Sequence, residues 1–448
     1  MNIALIVLDT VRGDVANALI EDGELPTLAS LAKYGRWYTD ARSNAPWTVP
    51  SHGSLFTGKY PSDSNITGTS PSYESVPLIE RVNSAGYDTA GFSSNPWLSA
   101  NFDFDRSFDK FYTSYDFYSD GGSMNPILTN NGSLPTRFKE FLSELGTGSF
   151  SKSLVNTAFW CYQRTFRDDA GGHHLTSRAA DWLSEKTSSR FAFVNLTESH
   201  LPYKLPEDWL PDGINMTKLQ EIEQDASQYQ ANASDITSQE YEILKLVYQA
   251  TIKYSDHLLG ELVDNASDDT VFIILGDHGE HFGEYERFGH QYSLYNELLH
   301  VPLIISGPHV NAQKINKTVS LRSLYQFVLK LADGEVTELP KQPYHIAELI
   351  SPQPSVKTLE EKGPNNPHQF VYRYGNGARC IENREMKVVE FPDGEVSSIE
   401  KSSDIQGDVQ ERLYSILRDE RGKIEGNDSD ELIVSETVKS QLEDLGYA

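Results

Sequence analysis

Two carboxylates, an imidazole and a hydroxyl stand out in the 448-residue chain: Asp9, Asp277, His278 and Thr48. Together they make a donor set for one divalent metal ion, hard or borderline, of the kind of Mn, Mg, Ca or Zn. Such an ion lowers the pKa of a coordinated hydroxyl and turns threonine, a poor nucleophile, into a usable one. It also holds an oxygen of a tetrahedral anion. Taken singly, each residue has a plainer reading. Asp277-His278 in "LGDHGE" could be two polar loop residues. Thr48 in "NAPWTVPSHGSLFTGKYP" could simply precede a capped helix. There Pro50 suits a first helical turn, Ser51 suits a cap, and "SHGSLFTG" reads as a helix stopping at Gly58. Thr48 would then sit at the helix mouth, where free N–H groups and the dipole favour an anion.

The histidines add to this. His278, His281, His290 and His300 lie in one short segment, and His52 and His200 lie at other element ends. A histidine can bind anion oxygens or donate a proton to a leaving group. His257, His281 and His300 are expected to be structural.

Short apolar runs ending in polar residues must position these groups. "IALIVLDT", "RFAFVNLTESH" and "DTVFIILGDHGE" read as buried parallel strands with chemistry at their carboxyl ends. "LPTLASLAKYG", "LTSRAADWLSEK" and "QEYEILKLVYQATIKYSDHLLGELVDNA" read as helices. "RWYTDARS", the end of "YESVPLIERVNSAGYDTAGFSS" and "HVPLIISGP" supply further strands. This alternation argues for an α/β fold: a large, mostly parallel sheet with helices on both faces. Ligands bind such sheets at the carboxyl ends of the strands. Asp9, Thr48, Asn95, His200, Asp277 and His278 all fall there. Residues 97–172 read as an insertion covering one end of the sheet, with one helix in "LPTRFKEFLSEL". Beyond the linker "VTELPKQP", alternating residues with a turn at Pro392-Asp393-Gly394 read as a small antiparallel sheet, followed by the helix "DVQERLYSILRDERG". The expected division is a catalytic domain over 1–335 and a small α+β subdomain over 336–448.

Acidic residues outnumber basic ones by 65 to 38, a formal charge of -27. Such a surface repels nucleic acid, which excludes it as an expected partner. An anionic substrate would need a local positive centre, and a bound metal ion could be one. Cys161 and Cys380 are far apart and make neither a disulfide framework nor a metal-binding spacing. No apolar run reaches the length of a membrane span, and the six apolar residues after Asn2 lack the flanks of an export signal. The expected setting is cytoplasmic.

Several ordered blocks resemble the sulfatase family, within the alkaline phosphatase superfamily. "IALIVLDTVRGD" resembles its first strand, and "LPTLASLAKYGRWYTDARSNAPWTVPSHGSLFTGKYP" its nucleophile segment. "ESHLPY" resembles its histidine motif, and "LGDHGEHFGEYERFGHQYSLYNELLHVPLIISGP" its second metal strand and the segment after that strand. The resemblance implies that Asp9, Asp277 and His278 hold metal and that Thr48 is the nucleophile. It implies that His200 contacts the substrate anion and that His290 lies near the leaving group. His52 replaces an arginine common in true sulfatases, and Asn95 matches a substrate-contacting asparagine.

The departures change the expected chemistry. True sulfatases carry a cysteine or serine, oxidised to formylglycine, where Thr48 stands. Threonine is not a substrate for that oxidation. Threonine nucleophiles in this superfamily belong to phospho-ester and phosphonate hydrolases, mutases and phospho-group transferases. Thr10 replaces a second acid, and Leu196 stands where two-metal members carry an aspartate four residues before the histidine. One metal ion is therefore expected. That combination resembles the phosphoglycerol and phosphoethanolamine transferases, which are membrane-anchored. The sequence points to a metal-dependent hydrolase or transferase of phosphate or phosphonate esters on a sugar, a lipid or another small alcohol. Two rivals stay open: a sulfuric ester hydrolase without formylglycine, and a catalytically retired glycan-binding or scaffold protein.

Overall fold

A computed structural model describes residues 1–114 except 69, 74 and 75, residues 169–363 except 186 and 187, residues 365–400 and 408–422, and positions 155, 439 and 442. The expected helix "LPTRFKEFLSEL" and Cys161 lie outside the described residues.

The large sheet contains β1 (Asn2–Leu8), β2 (Arg36–Arg42), β3 (Asp88–Ser93), β4 (Lys110–Thr113), β5 (Arg190–Leu196) and β6 (Thr270–Gly276). After a two-stranded ribbon, β7 (His281–Phe282) with β8 (Phe288–Gly289), it is completed by β9 (His300–Ser306), β10 (Gln313–Ile315) and β11 (Val319–Ser320). The order is β10-β2-β9-β6-β1-β5-β3-β4, with β11 beside β2. β6, β1, β5, β3 and β4 pair parallel. β9 alone runs antiparallel to its neighbours β2 and β6.

The continuous apolar runs of β1, β5 and β6 arise because both faces of these strands are covered. Ile3, Leu5, Val7, Phe191, Phe193, Val271 and Ile273 face one core. Ala4, Ile6, Leu8, Ala192, Val194, Phe272 and Ile274 face the other. The first core receives Val49, Leu55 and Phe56 from the helix Thr48–Thr57. The second receives Leu244, Val247, Tyr248, Ile252, Leu259 and Leu262 from the helix Ser238–Asn265. A reciprocal Thr237–Glu240 capping box starts that long helix.

The small sheet is an antiparallel meander of β12 (His345–Leu349), β13 (Ala378–Glu382), β14 (Met386–Glu390) and β15 (Val396–Glu400). One face packs Ile346, Ile381 and Val388 on Val409, Leu413 and Leu417 of the helix Val409–Arg421. The other contributes Ala347, Leu349, Ala378, Cys380 and Val389 to the first core of the large sheet. The small sheet therefore touches the loop that leads into the helix Thr48–Thr57. Asn44 Nδ2 donates to the Ile346 carbonyl (2.9 Å), and Glu348 N donates to the Asn44 carbonyl (2.9 Å).

Two local readings are corrected. The helix expected to start at Ser51 starts at Thr48, with Pro50 as its third residue. Ser51 is not its cap: Trp47 holds that position without a side-chain hydrogen bond. Ser51 Oγ instead donates to the Asp277 carbonyl (2.9 Å) and meets Ser43 Oγ (3.0 Å). The stop at Gly58 is observed, with φ +71°.

Candidate active site

Asp9 and Asp277 each follow the last residue of a central strand, and β1 and β6 pair in register there, Leu8 opposite Gly276. The two carboxylates are thus brought side by side by the sheet itself. Thr48 opens its helix beyond β2, Asn95 follows β3, and His200 follows β5 through a short turn. All six expected residues are buried in one place, none more than 2% exposed.

Hydrogen bonds divide each of Asp9, Asp277 and His278 into a held atom and an aimed atom. Asp9 Oδ2 accepts from Asn95 Nδ2 (2.8 Å) and Asn195 Nδ2 (3.3 Å). Asp277 Oδ1 accepts from the backbone N–H of Thr10 (3.2 Å) and of His278 (3.0 Å). The other oxygens, Asp9 Oδ1 and Asp277 Oδ2, are buried without a hydrogen-bond partner. His278 Nδ1 donates to the Gly279 carbonyl (3.0 Å), which leaves Nε2 bare. Nε2 lies 3.6 Å from Asp9 Oδ1, 3.4 Å from Asp277 Oδ2 and 3.3 Å from Thr48 Oγ1.

The electrostatics of the cluster favour a cation among these residues. Burial works to raise the Asp9 carboxyl, but His200, His278 and the Asn95 hydrogen bond hold it below its ordinary value. Burial, then the charge on Asp9, push the Asp277 carboxyl well up. Burial drives His278 well down, with His290 adding to it. Lone-pair atoms that converge without protons repel one another, and the carboxylate pair cannot ionise together. A divalent cation resolves both conflicts, so Asp9, Asp277, His278 and the Thr48 hydroxyl fit one such ion.

The surrounding residues fall into three groups. Asn95 Oδ1 accepts from the Trp97 N–H (3.0 Å), which turns its Nδ2 toward Asp9 and to 3.5 Å from Thr48 Oγ1. Asn95 therefore steadies Asp9 as well as bordering Thr48. His200 Nδ1 faces the Leu201 carbonyl (2.5 Å), and its ring centroid lies 5.1 Å from that of His290. The His290 ring lies 4.5 Å from that of His278, so both histidines border the candidate metal position. His52 is placed differently from the substrate contact expected of it. Its ring packs against Phe56 and Phe193, and its Nδ1 donates to the Thr48 carbonyl (2.9 Å) and lies 3.6 Å from Asp277 Oδ2. Burial pushes it down to about 4, so it is neutral near pH 7 and braces Thr48 and Asp277 from the core side.

His281, His300 and His257 stand apart from the cluster. They meet Ser293 Oγ, the Thr39 carbonyl and Glu261 respectively. Two residues that the sequence did not single out belong to the site. Asn195 was visible as the one amide in the apolar run "RFAFVNL". Glu280, fully buried, was visible as an acid two residues past His278. Burial pushes Glu280 up to about 8, and its carboxylate faces His290 Nδ1.

Known proteins share this framework. The family model described as Sulfatase matches residues 1–334. Arylsulfatase K of Xenopus laevis is 22% identical over 355 residues, covering 75% of this chain. The chain spans 64% of that relative's length. The phosphonate monoester hydrolase of Agrobacterium radiobacter superposes with a TM-score of 0.63 at 16% identity, over 93% of each chain. A protein in the alkaline phosphatase superfamily from Vibrio parahaemolyticus superposes with a TM-score of 0.53 at 16% identity, over 99% of this chain and 85% of the other. The α/β architecture expected from the sequence is the fold of these proteins, and the chain belongs to the Sulfatase family.

Proposed function

We propose that this chain is a metal-dependent hydrolase of phosphate or phosphonate esters, with Thr48 as its nucleophile. Membership of the Sulfatase family supports ester hydrolysis. The observation that carries the finer reading is the placing of Thr48 Oγ1 3.3 Å from His278 Nε2, where the bare oxygens of Asp9 and Asp277 also converge.

Asp9, Asp277, His278 and Thr48 would hold one divalent ion, among Mn, Mg, Ca and Zn. Bound there, the ion would supply Lewis acidity, lowering the pKa of the threonine hydroxyl and offsetting charge on the ester oxygens. Thr48 attacks phosphorus in line. Its place as the first residue of a ten-residue helix puts unpaired N–H groups and the positive dipole end beside the anion. His200 meets the equatorial oxygens, and His290 attends the leaving alkoxide. These preorganised groups supply the largest share of the rate enhancement. The threonyl phospho-ester then passes to water or to an acceptor alcohol. No helix among the described residues is long and apolar enough to cross a membrane.

A second reading, sulfuric ester hydrolysis without formylglycine, is supported by the likeness to arylsulfatase K. One experiment separates the two. Purified protein is offered nitrophenyl sulfate, phosphate monoester, phosphate diester and phosphonate, each with Mn, Mg, Ca, Zn or chelator. Metal-dependent turnover of phosphorus esters above sulfate supports the proposal. Preference for sulfate overturns it in favour of the second reading.

A further inference from the structure

Thr10 adopts a left-handed backbone conformation, with φ +59°. That region is unfavourable for a β-branched residue, so it persists only where surrounding contacts hold it. Two buried hydroxyls do so here. Tyr248, on the helix Ser238–Asn265, donates its Oη–H to the Thr10 carbonyl (2.7 Å) and accepts from the Arg12 N–H (2.8 Å). Thr10 Oγ1 donates to the Ser199 carbonyl (2.5 Å), one residue before His200, and also lies 2.7 Å from the Asp9 carbonyl. The turn thereby joins the ends of β1, β5 and β6. It reaches β5 through Ser199, and it reaches β6 through the Thr10 N–H on Asp277 Oδ1 (3.2 Å). The N–H groups of Thr10 and His278 between them fix Oδ1, which aims Oδ2 at His278 Nε2 (3.4 Å).

We infer that Tyr248 and Thr10 are positioning residues for the candidate metal site. The Tyr248 hydroxyl holds one end of the strained turn, and the Thr10 hydroxyl holds the other. With either hydroxyl gone, the turn relaxes toward negative φ, and the Thr10 N–H leaves Asp277. Oδ2 then loses its aim, although no donor atom of the site has been removed. Tyr248 thus links a helix that supplies no group to the site with the carboxylates that would hold the ion. Partners at this remove tune metal affinity by orienting the groups that bind. The inference rests on the metal reading of Asp9, Asp277 and His278.

The test is calorimetric titration of the full-length chain, stripped with chelator, with Mn, Mg, Ca and Zn chloride in turn. Tyr248→Phe keeps the buried ring and removes only the hydroxyl. It weakens the affinity about 10–100-fold. Thr10→Val keeps the branched shape, weakens the affinity over the same range, and serves if Tyr248→Phe does not fold. Thr10→Ser, which keeps the hydroxyl, retains wild-type affinity. Because both hydroxyls act on one turn, the double variant Tyr248→Phe/Thr10→Val falls short of the product of the two losses. A purely architectural role lowers the melting temperature of the metal-free chain and leaves affinity alone. Unchanged affinity in either single variant therefore overturns the inference, as do losses that multiply in full. A wild type that binds none of these ions overturns the metal reading and the inference with it, an outcome distinct from equal binding by wild type and variants.

Discussion

Asp9 Oδ1 and Asp277 Oδ2 both face Nε2 of His278, at 3.6 and 3.4 Å, and neither oxygen has a hydrogen-bond partner of its own. Each carboxylate spends its other oxygen on fixed donors. The arrangement stores its unused lone pairs in one small volume, beside Thr48.

Metal binding should therefore stabilise the fold. A divalent ion at a hundred times its dissociation constant should add about 2.7 kcal/mol. Asp277→Asn should abolish that gain in thermal melts with and without metal. An undiminished shift in the variant would place the ion elsewhere.

Asn95 holds Asp9 through its Nδ2 and is itself oriented by the Trp97 N–H. Asn95→Ala should weaken metal affinity about 10–100-fold, read by titration calorimetry. An unchanged affinity would leave Asn195 alone sufficient to steady Asp9.

Asn44 ties the loop before Thr48 to both sheets. Its Nδ2 meets the Ile346 carbonyl, and its Oδ1 accepts from Ser320 Oγ (2.8 Å) and Arg322 N (3.1 Å). Asn44→Ala should cost about 3 kcal/mol in urea unfolding, because buried partners are left unpaired. A cost below about 0.5 kcal/mol would show that water replaces the side chain.

His345 is fully buried against the Ser43 carbonyl, and burial lowers it from its ordinary 6.5 to about 4. Its unfolded form takes up a proton first as pH falls. The stability it contributes is present above pH 6.5 and is lost as pH falls toward 4. Between pH 7 and 5 that loss is about 2 kcal/mol. Urea unfolding at both values should show a smaller acid loss in His345→Gln than in wild type. Equal losses would mean that His345 titrates alike in the folded and unfolded chain.

Much of this site was legible because chemistry sits at strand ends. The run "IALIVLDT" gives both the buried strand and the position of Asp9, since covered parallel strands admit polar residues only at their tips. The same logic located Asp277 and His200. The edge strands β4, β10 and β11 were missed, being two to four residues long and too short for a period to show. The helix start at Thr48 was missed because Pro50 suggested a first turn and Ser51 a cap, whereas tertiary bonds claim Ser51 for Asp277. The role of His52 turned on packing: only the fold shows its ring against Phe56 and Phe193. Glu280 was passed over because an isolated acid in a glycine-rich loop reads as solvated, and its partner His290 lies ten residues on.

The most direct test of Thr48 as nucleophile is to quench the enzyme during turnover of a phosphate ester and map the tryptic peptide from Ser43 to Lys59 by mass spectrometry. The account predicts a phosphoryl group on Thr48, and a loss of at least about 10³-fold in turnover for Thr48→Ala with metal binding retained. Unmodified peptide together with full activity in Thr48→Ala would contradict it.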